Sequence, residues 1–454
     1  MNRSNEKGNT LVLTTLAMLV IIGFAALALD VSIAQNTYTR MQTATDAAAL
    51  AGARKLPYEI SAKNEALRLC GLNGFYDGED GVTITCTRNP DGIHPGWYMV
   101  EITKPMRLFF GGIFSESNPV IRVHATAAYV SPLPMYISGS VGEYGVNGIQ
   151  NLSCFGPYGY FTYGDAYSTY YLNNGEDNTH YREDGYNFIV DIKLDYFSKN
   201  GTNEIAFQVF DPDTWNIGNA YDSGAGKVDE IRPGTNNPGS NYTTTRFQLF
   251  RPDNTPTTFD DDILIAEAEW GPGDTWSDMQ WITPEGWELN LGNYGYGKYR
   301  INVKTIGGSS ENGFNLRAGA PEIVYGDPDD WFPDNGTEIT AVGTLPINFN
   351  QDGIVDVDLG YIPPEAAGYN VYVNKFDTDV GAKSVVYYDD YGNTWPGELS
   401  GNGTFQLDII QIPYGYGGSR LYAKYEAGQQ DTSSWQLYFD GQLDDLPGEL
   451  RLVD

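Results

Sequence analysis

The chain has 454 residues, a size for two or three domains, and its 41% hydrophobic and 14% aromatic content excludes general disorder. A net charge of -32 makes nucleic acid and anionic lipid poor partners for most of the surface. Three His and three Cys are too few for a zinc-finger-type cluster, while 53 Gly, 33 Tyr, 24 Pro and 20 Phe point to short strands joined by tight turns.

The charge is uneven along the chain. Residues 1–130 hold 11 basic and 11 acidic side chains; the remainder holds 16 against 48, the whole imbalance. Ala-rich apolar sequence also gives way there to Gly, Asn, Asp and Tyr. Two different modules are therefore expected, joined near Ser131–Gly148.

Residues 1–9 form a short tail. Thr10–Leu29 follows, twenty residues without charge or Pro. At ~1.5 Å per residue it spans the ~30 Å hydrocarbon core of a bilayer. A cleaved secretory signal is the competing reading, with Arg3 and Lys7 as its basic region. The run is longer than a usual signal core. It also continues into VSIAQNTYTRMQTATDAAALAGARKL, where Val31, Ala34, Tyr38, Met41, Thr45, Ala48 and Ala51 step by three and four. A retained anchor with a helical stalk over 30–56 is the expectation. Its small-residue face (Ala25, Ala28, Ser32) would pack against partner helices. The short basic tail stays in the cytoplasm, which puts the acidic bulk across the membrane in a single pass.

Lys7-Gly8, the apolar span, Asp30 and Asp46-Ala47-Ala48-Ala49-Leu50-Ala51-Gly52-Ala53 occur in that order. This combination resembles the N-terminal anchor of TadE/TadG-like (Flp, tight-adherence) pilus-assembly proteins. Tyr98–Tyr129 resembles the small extracytoplasmic domain of that family more weakly. The resemblance covers about the first 130 residues and implies a role in pilus assembly or a related envelope function. The von Willebrand A domain of many TadG relatives needs an Asp-x-Ser-x-Ser motif, which is absent. Prepilin-like relatives are cut after a Gly and carry a Glu five residues on. Such processing would fall between Gly8 and Asn9, yet the fifth residue is Leu13. That departure argues against a filament subunit.

A small α+β domain is expected over 57–130. Tyr58–Gly71 reads as a helix with Gly71 as a C-cap, and Val82–Thr87 as a strand. Cys70 and Cys86 enclose fifteen residues, and an oxidising compartment makes a disulfide the favoured reading over two buried thiols. Cys154 is left over.

After a linker at 131–150 the pattern is all-β. Alternating segments such as Phe188–Leu194, Glu204–Phe210, Thr245–Phe250, Tyr299–Thr305, Asn370–Phe376 and Phe405–Ile412 recur between Gly, Pro, Asn and Asp clusters. Two antiparallel β-sandwich domains are expected, 151–335 and 336–454, divided near Trp331–Gly336.

Acid clusters between strands are candidate calcium ligands: Asp211 and Asp213, Asp222 with Asp229 and Glu230, Asp260 to Asp262, and Asp327 with Asp329 and Asp330. The stretch Asn348-x-Asn350-x-Asp352-Gly353 matches half of an EF-type loop, but its twelfth position is Leu359. The alternative is solvated turns that keep the surface soluble. No nucleophile or metallohydrolase motif accompanies His94, His124 or His180, so no enzymatic activity is expected. Trp215, Trp276, Trp281 and Trp287 are candidates for stacking on carbohydrate or for core packing. The expected function is a non-enzymatic anchored protein of pilus assembly or surface adhesion. Its partners would be other pilus-assembly proteins, membrane lipid and carbohydrate or another surface ligand. The alternative is a filament subunit with bundled helices and displayed β-domains.

Overall fold

The computed structural model describes residues 5–106, 108, 110, 119–137, 150–159, 165–172, 174–215, 229–231, 241–253, 255, 258–326, 335–349, 353–377, 382–401, 403–428, 431–443 and 448–453. They form two compact units. One is Met1–Val130 with Asp440–Gln442 and Gly448–Asp454; the other is Ser131–Phe439 with Leu443–Pro447.

The first unit is built on helix α1, Asn5–Ala53, 49 residues long. No Pro interrupts it, so one helix carries both the apolar span and the Ala-rich run. The hydroxyls of Thr14, Thr15 and Ser32 donate to the carbonyls of Thr10, Leu11 and Ala28 at 2.7–2.9 Å. Polar side chains in an apolar helix are thereby satisfied within the helix itself.

Burial divides α1 in two. Leu11, Leu16, Ile21, Phe24 and Leu27 are exposed, whereas Met41, Ala44, Thr45, Ala48, Ala49 and Ala53 are buried completely. The small residues let neighbouring backbones approach. Helix α2, Glu59–Leu72, meets α1 with Ala62, Ala66 and Cys70, one turn apart on a single face. Gly52 faces Tyr98, and a Cβ there would lie 2.3 Å from the ring. The cap of α2 is Asn73, whose Nδ2 donates to Leu69 O at 2.9 Å, rather than Gly71.

An antiparallel sheet completes this unit. Strands β1 (Thr83–Arg88), β2 (Trp97–Pro105) and β3 (Val120–Pro132) pair in sequence, with Cys86 opposite Val100 and Val100 opposite Ala125. The fourth strand is Glu449–Leu452, which pairs with β3 through Arg451 and Ala128. The C-terminal residues thus complete the small domain instead of ending a second sandwich. Cys70 and Cys86 are free thiols, which corrects the expected disulfide. Burial pushes the Cys70 thiol up to about 12, and Cys86 is raised by the same cause.

The second unit is all-β and antiparallel apart from short helical turns. Its largest sheet runs in the order Thr404–Gln411, Asn370–Asp377, Asp431–Asp440, Leu345–Phe349, Gln150–Phe155, Glu311–Gly319, Glu204–Phe210, ending on Trp281–Ile282 and Glu288–Asn290. A six-stranded sheet that includes Tyr186–Ile192, Gly297–Gly307 and Thr244–Phe250 packs on one end of it. The contact is aromatic: Phe314 meets Phe188 and Phe247 edge-on, with centroids 6.2 and 5.5 Å away. A four-stranded sheet containing Ser419–Ala427 and Ser384–Asp389 packs on the other end, where Tyr425 lies between Phe349 and Trp435.

Two sandwich layers therefore share one sheet. The joint is Leu345–Phe349, which pairs with Gln150–Phe155 on one side and Asp431–Asp440 on the other. Thr337–Ala341 likewise pairs with Tyr186–Ile192. Strands from both sides of residue 335 interleave, so the division expected at 335/336 is not a break between sheets.

Candidate functional site

The structure sorts the flagged carboxylates by burial. Asp260 is exposed, while Asp262 is partly buried with Asp253 and exposed Asp261 beside it. One oxygen from each of Asp253, Asp261 and Asp262 lies within 4.8 Å of the others. This tight group already has a counter-charge. The Arg300 guanidinium bonds Asp262 and stacks 3.8 Å from the Phe250 centroid and 4.4 Å from that of Phe259. Asp222, Asp327, Asp329, Asp330, Asn350 and Asp352 lie outside the described residues. Asn348 is buried in the strand Leu345–Phe349, opposite Asn151 and Thr432.

Asp211 and Asp213 behave differently. Both sit just past the end of the strand Glu204–Phe210, and both are buried, at 0% and 1% exposure. The backbone here turns sharply: Asp211 has φ +49 and Met279 φ +57. Met279 N donates to Asp211 Oδ1 at 3.0 Å, and Asp211 N to Gln280 O at 2.9 Å. Ser277 Oγ donates to Asp213 Oδ2. These bonds bring the loop Asp274–Gln280 against Asp211–Asp213, with Asp278 also buried.

A third segment closes on the same place. Asp229 is fully buried and its Oδ1 accepts from Gly313 N at 2.8 Å. The adjacent Asn312 is held by its amide nitrogen, which donates to Pro212 O at 3.1 Å and to Thr245 Oγ1 at 2.8 Å. Three oxygens here are buried without a hydrogen-bond partner: Asp211 Oδ2, Asp213 Oδ1 and Asn312 Oδ1.

The electrostatics follow from this crowding. Burial pushes the Asp211 carboxyl well above its usual range, and the charges of Asp213 and Asp278 push it further. Asp229 is raised in the same way by burial, then by Asp211, Asp213 and Asp278. Burial, then Asp278 and Asp274, take Asp213 up to about 7 against the Ser277 bond. Two other acids in this unit pair with cations, Asp408 with Lys375 and Asp262 with Arg300, whereas buried Asp165, Glu311 and Asp431 accept from hydroxyls. Next to the group, Glu311 is also fully buried and raised to about 8 by burial and by Glu230.

Sequence reading found Asp211, Asp213 and Asp229 but missed Asp278 and Asn312. Asp278 lay in a Ser/Asp-rich turn that was readable as one more acidic loop. Asn312 sits within the strand Glu311–Gly319, where position alone marks no ligand. Trp287 is fully buried, Trp215 and Trp281 are half-buried, and Trp276 is 64% exposed, so the four tryptophans form no single platform. Ala25, Ala28 and Ser32 are all exposed on α1. Asp30 is buried, and its Oδ2 accepts from Phe110 N at 3.0 Å. Gly8 and Asn9 fall near the start of α1.

With the long helix and its Ala-rich packing face established, comparison with known proteins adds one assignment. Residues 8–55 match the Flp pilus-assembly TadE/G-like family. The match covers the span and the small-residue run, about a tenth of the chain, and no family model matches the C-terminal region. No curated protein matches the chain. Among solved structures, the CBM22-1–CBM22-2 tandem domain of Paenibacillus barcinonensis Xyn10C is 11% identical, covering 79% of this chain and 91% of that one, with a TM-score of 0.13. A structure of infectious bursal disease virus Gx strain is 12% identical, covering 72% and 74%, also at 0.13. Scores so low establish no shared fold.

Proposed function

We propose that this chain is a non-enzymatic, membrane-anchored protein of the bacterial envelope that acts in Flp/tight-adherence pilus assembly or surface adhesion. One observation carries the reading: a single unbroken helix, matched over nearly all its length by a pilus-assembly family, is apolar and largely exposed up to Leu29 and then buried in a domain. A soluble protein gains nothing by exposing so long an uncharged, largely apolar surface; a bilayer or a bundle of like helices covers it. Ala25, Ala28 and Ser32 offer the small surface that close helix packing in lipid requires. The basic tail before the span supports an N-in orientation, with the acidic β unit outside.

The alternative, a filament subunit, uses the same exposed apolar surface in a helical bundle. Leu13, where prepilin-like proteins carry Glu, weighs against it. Protease added to spheroplasts separates orientation from topology. The reading expects the β unit to be digested from outside and α1 to stay in the alkaline-washed membrane pellet. A β unit protected until the cells are lysed would refute the N-in assignment.

A further inference from the structure

We propose that Asp30 holds Phe110, beyond the end of the β2–β3 pair, at the bilayer boundary, so that lipid covers this second element as well as α1. The inference rests on the reading of Thr10–Leu29 as a membrane anchor and adds a second point of lipid contact to it. Burial along α1 is the first observation. Phe24, Leu27 and Leu29 are exposed, yet Ala26 is only 8% and Asp30 only 3% exposed. These two residues lie one turn apart on one face of the helix, separated by ~6 Å at ~1.5 Å per residue. Folded chain therefore covers α1 a full turn inside its apolar span.

The second observation is what bonds to that face. Strands β2 and β3 pair from Trp97 opposite Ala128 to Pro105 opposite Val120, and Met106 N donates to Pro119 O at 2.8 Å just beyond. Past this bond, Phe110 N donates to Asp30 Oδ2 at 3.0 Å. A backbone N–H outside helix and sheet is tolerated at the edge of hydrocarbon when the protein itself supplies its acceptor. Asp30 is that acceptor. The same bond gives the carboxylate a donor at a height where an unsolvated charge is costly. The outward side chains around it are apolar: Phe110, Val31 and Val120 are all exposed. Lipid is the occupant because the exposed apolar surface of α1 continues from Leu29 to Val31, past the level of Asp30.

The test uses nitroxide labels on the full chain in phosphatidylcholine vesicles, read by collision with oxygen, which enters lipid, and with a polar nickel chelate, which does not. Labels go on Phe110→Cys, on Leu16→Cys within the span and on Leu194→Cys, an exposed position of the β unit. The signal of the labelled parent chain is subtracted to remove its own thiols. The oxygen-to-nickel ratio at Phe110 should exceed that at Leu194 about threefold or more and stay below that at Leu16. Asp30→Ala should return the Phe110 label to the Leu194 value and leave Leu16 unchanged. Asp30→Asn keeps a side-chain oxygen for Phe110 N and should keep the label in lipid, which separates a lost acceptor from a damaged fold. An unchanged Phe110 ratio in Asp30→Ala would refute Asp30 as the holder. A Phe110 ratio equal to that at Leu194, with Leu16 in lipid, would overturn the inference and leave the anchor standing. Exclusion of both reagents at Phe110 would mean cover by protein and would overturn it too. A water value at Leu16 would overturn the anchor reading, and this inference with it.

Discussion

The two units solve opposite problems. The first is nearly charge-neutral and packs by smallness: Ala44, Ala48, Ala49, Gly52, Ala62 and Ala66 let two helices and a sheet come close. The second is strongly acidic and packs by size, with Phe314, Tyr425, Trp435 and Trp287 filling its layers. It also keeps carboxylates, a lysine and arginines in its interior. Small-residue packing buries no ion pair and should be nearly indifferent to pH and ions near neutrality. A polar interior should not be.

The largest expected effect lies in the β unit. Lys375 lies in the interior, bonded to Asp408 and, at 2.8 Å, to the Tyr387 hydroxyl. Lys375→Met leaves Asp408 buried without its cation and should destabilise this unit by about 3–5 kcal/mol in urea unfolding. The double variant Lys375→Met, Asp408→Leu should recover most of that loss. If the single and double variants unfold alike, the pair is not what holds these strands.

Next is the small unit. Gly52→Ala places a methyl group 2.3 Å from the Tyr98 ring. It should cost about 1–3 kcal/mol in the small unit and leave the β unit unchanged, followed by hydrogen exchange on each. Equal loss in both units would mean that they do not unfold separately.

The pH dependence is smaller and discriminates between the units. Glu311 titrates at about 8 in the fold, well above an ordinary carboxyl near pH 4.3. Between those values the folded state holds a proton that the unfolded state has released. Stability must therefore fall as pH rises from about 4.5 to 8. Asp213, at about 7, adds a fall of the same sign. Glu311→Gln should flatten the slope of the β unit, and the small unit should show none of it. A slope unchanged in Glu311→Gln would contradict this source.

The smallest effect concerns the thiols. With Cys70, Cys86 and Cys154 all free, dithiothreitol should move neither melting transition by more than about 1 °C, and three thiols should react after unfolding. A drop on reduction would restore the disulfide.

The contrast also explains what was legible. Helix α1 and its packing face follow from local spacing, since residues three and four apart share a face. Strands such as Glu204–Phe210 follow from alternation. Their order does not: Leu345–Phe349 joins two layers because it pairs with strands about 90 and 195 residues away, and no local pattern encodes that. The pairing of Glu449–Leu452 with β3 was invisible for the same reason. The acid group was half legible. Asp211 and Asp213 stand out as neighbours in sequence, while Asp278 and Asn312 join them only through the fold. The expected disulfide shows the converse error, where a favourable loop length was read as a bond.

Mass spectrometry of the intact chain, purified separately from membranes and from sheared surface material, tests the central claim most directly. The account predicts a chain with an unprocessed N-terminus, found in membranes and absent from sheared fibres. A chain that begins at Asn9 and is recovered in those fibres would contradict it and make this protein a filament subunit.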